Sequence, residues 1–505
     1  MIQVTCSAET YLYNTYHMTK AFYPSEEVVS RIDEKASHYV RVDFFEEWDK
    51  DNAEDLQADR ITVSRENMGG YSDKYIGGAG DFPDGVKRLK YEIEVTLYRL
   101  LKERTGRALA WGVLMGVRPT KIAMKKLAEG GTREDIAEWY GKEFFVSRKK
   151  ALLAVEIAER EKALLDRLDL ENGYSLYVGI PFCPTVCSYC SFSSGALSDW
   201  GDRVDGYVEA LCKELLFLAQ ASENKSLNTI YIGGGTPTTL NAGQLEKLLS
   251  CIDRHFPKEH LLEYTVEAGR PDSITEEKLR IIREHGVTRI SINPQTMQQK
   301  TLDVIVRKHS VQQIRDAYQM ARRLGFDNIN MDLIAGLPGE TAADMEDTLR
   351  QIRELDPDNL TVHSLAIKRA AKMGQKDAGE HRKAPVGRAV EQMIDAAYET
   401  AEQMGMSPYY LYRQKNIAGN FENVGYAKVD KAGIYNILIM EEKQSIIAAG
   451  AGASTKLVMK EPVPMPGNKK GKKTKLLRIE NVKAIDAYID RVDEMIERKG
   501  EWLWH

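Results

Sequence analysis

Three of the chain's six cysteines fall within eight residues, Cys183-Pro-Thr-Val-Cys187-Ser-Tyr-Cys190, at the spacing C-x3-C-x2-C. Three thiolates can hold a four-iron, four-sulfur cluster while leaving one iron without a protein ligand. Four would close the coordination and suit electron transfer alone. Three leave a corner that the amino and carboxylate groups of a small molecule can bind. A zinc site would need a fourth nitrogen or sulfur ligand, and neither His nor Cys lies just beyond Cys190. The other cysteines read as small apolar fillers. Cys212 falls on the stripe Val208, Leu211, Leu215, Cys251 lies in the helical pattern Leu245, Leu248, Leu249, Ile252, Phe256, and Cys6 has no partner motif.

Further polar groups follow at intervals. Gly233-Gly-Gly-Thr-Pro-Thr238 lets a ligand approach the backbone closely and leaves N–H groups free to bond it, but lacks the Gly-Lys-Ser/Thr of a phosphate cradle. Glu267 lies in Tyr-Thr-Val-Glu-Ala-Gly-Arg-Pro, where a carboxylate could accept from a ribose hydroxyl pair or an ammonium group. Gln295, Arg307 and Asp332 come next, in Ser-Ile-Asn-Pro-Gln-Thr, Val-Arg-Lys-His and Met-Asp-Leu-Ile-Ala-Gly-Leu-Pro-Gly-Glu.

The elements that must position these groups alternate. Apolar runs at Ser175–Ile180, Thr229–Gly233, Leu262–Glu267, Thr288–Asn293, Asn328–Ile334 and Asn359–Ser364 are separated by amphipathic patterns at Val204–Ala219, Gln244–Phe256, Thr275–His285, Val311–Leu324 and Ala342–Leu355. Such alternation builds parallel βαβ units, and six of them suit a partial (β/α)6 barrel with its chemistry at the C-terminal ends of the strands. The fold expected is α/β: this barrel over residues 171–380, an N-terminal accessory domain over 1–170 (α/β, then helical), and a C-terminal α+β domain over 381–505 that covers the substrate. In the first region, Ile2–Thr5, Tyr39–Phe45 and Arg60–Val63 read as strands, and the stretch to Phe22 and Gly85–Glu103 as helices. Gly116-Val-Arg-Pro-Thr-Lys-Ile122 offers Arg and Lys beside a turn, which could dock a carboxylate or simply face solvent. In the last region Gly387–Met404 and Ala484–Lys499 read as helices and Ile434–Glu441 as a strand. The Pro-, Gly- and Lys-rich Pro462–Lys475 reads as a solvated hairpin tip.

Composition narrows the function classes. With 505 residues and a net charge of −5 there is ample material for several cores and no broad nucleic-acid footprint. No N-terminal apolar run resembles a signal peptide and no stretch of about 18 apolar residues could span a bilayer, so a cytoplasmic location without membrane or nucleic-acid partners is expected.

Taken together, Tyr-x-x-Ile-Pro-Phe-Cys-x3-Cys-x-Tyr-Cys, Gly-Gly-Gly-Thr-Pro-Thr, the Glu267 motif, Gln-x11-Arg and Asp-Leu-Ile-x-Gly-Leu-Pro-Gly resemble the oxygen-independent coproporphyrinogen III oxidase (dehydrogenase) group of radical S-adenosylmethionine (SAM) enzymes. Gly-Val-Arg-Pro-Thr-Lys, Thr-Val-Glu-Ala-Gly-Arg-Pro, Tyr-Tyr-Leu-Tyr-Arg-Gln-Lys-Asn and Tyr-Asn-Ile-Leu-Ile-Met-Glu-Glu resemble its long HemZ-like subgroup, from about residue 108 to the C-terminus. The resemblance implies a [4Fe-4S] cluster on Cys183, Cys187 and Cys190, with SAM on the open iron as the source of a 5'-deoxyadenosyl radical. It implies two SAM molecules: Tyr177, Gly234 and Glu267 contact the first, and Gly235, Thr236, Gln295, Arg307 and Asp332 the second, with Tyr177, Glu267, Arg307 and Asp332 as the catalytic set. The implied reaction is oxidative decarboxylation of coproporphyrinogen III propionates to vinyl groups, giving protoporphyrinogen IX in haem biosynthesis. A reduced flavodoxin or ferredoxin is the expected electron donor, and a monomer the expected state.

A substrate bearing propionates needs cations. Arg413 and Lys415, flanked by Tyr409, Tyr410 and Tyr412, form the best basic-aromatic cluster outside the barrel, with Arg270, Lys368 and Arg369 as competitors. Two departures point toward the haem-chaperone branch: Cys190 is followed by Ser191-Phe192 rather than by a further Cys two residues on, and Gly179 stands where His is frequent. Against it, the chaperone's His-Asn segment is matched here by Glu422-Asn423. A haem chaperone and a radical SAM methyltransferase that opens haem therefore stand beside the decarboxylase.

Overall fold

The structure is a computed structural model and describes every residue except 46–58, 69–84, 117, 193, 367–370, 372–384, 386, 415–419, 466–472 and 505, together with the side chains of 85–87. Near the N-terminus four strands, β1 (Ile2–Cys6), β2 (Val28–Ile32), β3 (Val40–Phe44) and β4 (Asp59–Val63), form a sheet in the order β2-β1-β3-β4. β2 lacked a sequence signal, being exposed over Ser30, Arg31 and Ile32. Helices Glu9–Phe22 and Gly85–Thr105 cover this sheet, and Val4, Met18, Phe22, Val42, Ile93, Leu97 and Leu101 close a separate apolar core. The helices Thr120–Ala128, Arg133–Phe144 and Arg148–Leu165 do not belong to it. Their buried faces, with Ala123, Ile136, Tyr140, Ala154 and Ile157, join the core of the larger sheet instead.

That sheet carries β5 (Gly173–Ile180), β8 (Ser226–Gly234), β9 (Glu263–Gly269), β10 (Arg289–Ile292), β11 (Ile329–Ala335) and β12 (Asn359–Ser364) as consecutive parallel neighbours. Between β5 and β8 lies a two-residue pair, β6 (Phe182–Cys183) and β7 (Gly195–Ala196). Beyond β12 come β14 (Asn423–Ala427) and β13 (Ser407–Tyr412), and beyond β5 come β15 (Ser445–Ala449), β16 (Ser454–Pro464) and β17 (Lys473–Glu480). The strands after residue 380 thus extend the same sheet, and β15 adds a further parallel strand beside β5.

Parallel strands covered on both faces usually read as continuous apolar runs. These alternate. Leu176, Val178, Ile230, Ile232, Tyr264, Val266, Ile290, Ile292, Met331, Leu333, Leu360 and Val362 pack into the helix-covered core. The other face carries Ser175, Tyr177, Thr229, Tyr231, Thr265, Glu267, Arg289, Ser291, Asn330, Asp332, Thr361 and His363, because successive residues of a strand point to opposite sides. Hydrogen bonds cross this inner face from strand to strand: Thr229 to Ser175 (2.8 Å), Asn330 to Ser291 (2.8 Å) and Thr361 to Asn330 (3.0 Å). The result is a helix-wrapped parallel sheet with a polar interior.

The segment Ile434–Glu441, expected as a strand, is a helix. Its buried residues Tyr435, Ile437, Leu438 and Glu441 recur at helical intervals, and burial on that face outweighs the strand preference of a short apolar run. The single helix expected at Ala484–Lys499 is two, Ile485–Asp490 and Val492–Gly500, broken at Arg491. A fully buried ion pair, Lys499 with Glu214, joins the second of these to helix Val204–Ala221; Asn481 and Tyr488 also donate to Glu214 (2.9 and 2.6 Å). Among the described residues no helix is long and apolar enough to cross a membrane.

Candidate active site

The cysteine loop leaves the C-terminal end of β5 and is fastened from several elements. Gly235 and Thr236 donate their amides to Ile180 O and Phe182 O (both 2.7 Å), Gly195 to Pro181 O (2.8 Å) and Ser188 to Ile305 O (3.2 Å). Thr236 Oγ1 donates to Cys183 Sγ at 3.6 Å. The glycines are required where they stand. Gly234 has φ +106°, and a Cβ on Gly235 would lie 2.5 Å from Phe182 O.

Arg270, considered above for a propionate, is 2% exposed and engaged with this loop. Its Nη1 donates to Thr185 O (2.8 Å) and Thr185 Oγ1 (2.7 Å), between Cys183 and Cys187, while Nε and Nη2 grip Asp272 (2.9 and 2.6 Å). Burial works against the charge of Asp272, but His309 and Arg270 outweigh it and hold the carboxyl far below the usual range. A guanidinium so committed is not available to substrate. Arg307 donates to Asn293 O and lies against Tyr189 and Cys187. Burial opposes its charge too, yet those contacts keep it above free arginine. It therefore belongs to the cysteine loop rather than to the strand wall that carries Asp332.

The inner wall gathers the remaining groups. Tyr177 stacks with Tyr231 and Tyr435 (centroids 6.3 Å in each case), and Tyr231 with Tyr435 at 4.4 Å. The Tyr231 hydroxyl donates to Glu267. Burial pushes the Glu267 carboxyl up to about 7, and Asp332 adds to this against the Tyr231 bond. Asp332 accepts from Asn330 (2.7 Å) and lies 3.8 Å from His363 Nε2; burial raises its carboxyl, but His363 and Asn330 bring it below the usual value. Gln295, at φ +67°, lies past the end of β10 and bridges across to β11, its backbone amide donating to Asp332 O (2.9 Å) and its Oε1 buried without a donor. The structure thus brings together Tyr177, Gly234, Glu267, Gln295 and Asp332 along one interior, with Gly235, Thr236 and Arg307 at the cysteine loop. Sequence reasoning missed Tyr231, Arg289, His363 and Tyr435. The first three lie on the alternating register of their strands, which could have signalled them, whereas Tyr435 depended on recognising a helix.

Arg413 is not a surface cation. It is 3% exposed, donates to Leu114 O (2.7 Å), Gly116 O (3.3 Å) and Asn420 O (3.1 Å), and lies over the Trp111 ring at 5.5 Å. It bolts β13 to the segment before helix Thr120–Ala128 and leaves no fork for a propionate. Lys415, Lys368 and Arg369 lie outside the described residues. Glu422 pairs with Lys150 and accepts from Trp111 Nε1 (2.7 Å), so the segment expected to match a haem-binding one is part of the core. Arg118 of the Gly116–Ile122 turn does dock a carboxylate, that of Glu442 (2.6 Å), within the chain itself.

The donor set suits an iron–sulfur cluster: three free thiols on one loop, a glycine cradle that a Cβ would fill, and unpartnered buried hydroxyls on Ser188 and Ser194 beside them. Among the described residues no three His, Cys, Asp or Glu groups close on a single metal ion. A cubane holds its thiolates farther apart than a mononuclear ion does.

Residues 177–352 match the model of the radical SAM superfamily. The chain is 38% identical over 425 residues to the oxygen-independent coproporphyrinogen-III oxidase-like protein HemZ of Bacillus subtilis, covering 83% of this chain and 82% of that one. It belongs to that HemZ-like family of radical SAM proteins. Another relative, the heme chaperone HemW of Bacillus subtilis, is 39% identical over 194 residues, which is 38% of this chain and 50% of HemW. Among solved structures, the coproporphyrinogen III oxidase HemN of Escherichia coli, a radical SAM enzyme, superposes with a TM-score of 0.52 at 23% identity, covering 66% of this chain and 73% of that one. The fold is therefore the HemN-like radical SAM fold, and the family's cofactors are a [4Fe-4S] cluster and SAM.

Proposed function

We propose that this protein decarboxylates propionate side chains of coproporphyrinogen III to vinyl groups, in a cytoplasmic, oxygen-independent step of haem biosynthesis. The observation that carries the reading is the continuity of the cysteine loop with a polar interior in which Tyr177, Glu267 and Asp332 line one wall. When bound, the cluster and SAM supply the one-electron chemistry that removes a hydrogen atom from a propionate β-carbon. The substrate then loses carbon dioxide from the neighbouring carboxylate and one electron to a one-electron acceptor, leaving the double bond.

The chain's own residues bind and exclude. Cys183, Cys187 and Cys190 hold the cluster, and Arg270 and Arg307 fix the loop from behind. Tyr177, Gly234 and Glu267 serve the cluster-bound SAM, with Glu267 accepting hydrogen bonds from its polar edge. Gln295 and Asp332, with Gly235 and Thr236, are assigned to a second SAM; Gln295 Oε1, buried without a donor, is an acceptor in need of one. Arg307 joins that set only as a charge at the cluster side. The stacked rings of Tyr177, Tyr231 and Tyr435 keep water from the reacting carbon. A second reading, haem handling, is favoured by one observation: His363, near the end of β12, sets an imidazole on the interior wall, with Nδ1 near the Tyr412 hydroxyl (3.2 Å) and Nε2 3.8 Å from Asp332. Anaerobic reconstitution with SAM and a reductant, then chromatography of products from coproporphyrinogen III and from haem, separates the two. Vinyl products from the first support the decarboxylase; products from haem alone overturn it.

A further inference from the structure

Among the described residues, one buried arginine has its whole side-on fork unpaired. Arg289 begins β10 and is 1% exposed. Ile290 and Ile292 face the helices, which places Arg289 and Ser291 on the inner side, and Arg289 stands beside Thr265, two register steps below the Ser291–Glu267 pair. Its Nε and Nη2, the two N–H groups of the side-on fork, are buried without an acceptor. It forms no ion pair among the described residues. Tyr231, Tyr409, Tyr410 and Glu263 surround it electrostatically, and a Cβ on Gly433 would lie 3.5 Å from its Cζ, so the tip reaches to the start of helix Ile434–Glu441.

A buried guanidinium with an empty fork is an arrangement that folding disfavours. Such local conflicts persist where a ligand supplies the missing partner. The fork's two parallel N–H bonds fit a planar carboxylate. The interior carboxylates Glu263, Glu267 and Asp332 act on Arg289 electrostatically, yet none of them forms an ion pair with it. We propose that Arg289 is the carboxylate socket of the interior and takes a propionate of the tetrapyrrole. This rests on the function proposed above. With Arg413 and Arg270 committed elsewhere, Arg289 is, among the described residues, the arginine whose Nε and Nη2 are both buried without a partner. The methionine carboxylate of SAM has the same chemistry and is the competing occupant.

The reconstituted protein is titrated anaerobically with coproporphyrin III and with its tetramethyl ester, following porphyrin fluorescence, and separately with SAM. The wild type should bind the acid more tightly than the ester. Arg289→Gln should lose about 10- to 100-fold in affinity for the acid, the worth of one charged hydrogen bond. Ester and SAM binding should stay unchanged, and Arg289→Lys should recover part of the loss. Because Arg289 forms no ion pair, Arg289→Gln should melt close to wild type. Acid affinity within twofold of wild type in Arg289→Gln would overturn the proposal, as would failure of both variants to fold, which would make Arg289 a support of the barrel. A loss confined to SAM would move the socket to the cofactor and overturn the propionate assignment. Failure of the wild type to bind coproporphyrin III at all would instead count against the proposed function.

Discussion

Replacing Arg270 by methionine keeps most of the side chain's volume and removes its guanidinium from behind the cysteine loop. Four contacts end: two to Thr185 (2.8 and 2.7 Å) and two to Asp272 (2.9 and 2.6 Å). A hydrogen bond involving a charged group contributes about 1.5–3 kcal/mol. The two pairs share one guanidinium and are not additive. Breaking a buried pair from one side costs about 3–5 kcal/mol when the remaining charge is left uncompensated, but His309 stays beside Asp272 and balances part of that charge. We therefore expect a loss of about 1.5–3 kcal/mol in urea denaturation of the apoprotein, still a large share of the stability of an ordinary domain. The cluster should report the same event independently. With Thr185 freed, the segment between Cys183 and Cys187 loosens, and iron should be lost to a chelator about tenfold faster than from wild type, the equivalent of about 1.4 kcal/mol at the loop. Arg270→Lys should restore the contact to Thr185 but not the fork on Asp272, and recover part of both effects. If Arg270→Met denatures within about 1 kcal/mol of wild type and releases iron at the wild-type rate, the clamp is not what holds the loop.

Three further outcomes are expected. Alanine at Cys183, Cys187 or Cys190 should abolish the cluster's absorption near about 400 nm and its iron, whereas Cys6→Ala, Cys212→Ala and Cys251→Ala should retain both; the reverse for Cys212 and Cys187 would reject the ligand set. Because burial lifts the Glu267 carboxyl to about 7, its neutral form prevails below that pH and its ionised form above, so SAM affinity should rise as pH rises through about 7 and Glu267→Gln should remove that step. A wild-type affinity flat across that range would leave Glu267 without a role in binding SAM. Lys499→Met strands Glu214 in a fully buried site and should cost about 3–5 kcal/mol, measured by denaturation, without changing iron content.

Much of this was legible in the sequence, for identifiable reasons. The six barrel strands and their helices announced themselves because each strand presents one apolar face to a helix with an apolar stripe of its own. The cysteine loop was legible because its three thiols fall within eight residues. The cations were not. Arg270 and Arg413 look alike as exposed candidates in one dimension, and only packing shows that one clamps the cysteine loop and the other spans backbone carbonyls of a segment some 300 residues away. Arg289 was passed over inside a strand, where its inward register gives it meaning. Ile434–Glu441 was misread because an eight-residue apolar run satisfies both periods, and Tyr435 was lost from the site with it. The helices from 120 to 165 sat with the N-terminal region by position and with the large sheet by packing, a long-range preference that amphipathic spacing cannot express.

The central claim, that a hydrogen atom leaves a propionate β-carbon of coproporphyrinogen III, is tested most directly with substrate deuterated at those carbons. In a single anaerobic turnover with SAM and reductant, deuterium should appear in 5'-deoxyadenosine, one equivalent for each vinyl group formed. 5'-Deoxyadenosine without deuterium, or deuterium transfer with no loss of carbon dioxide, would contradict it.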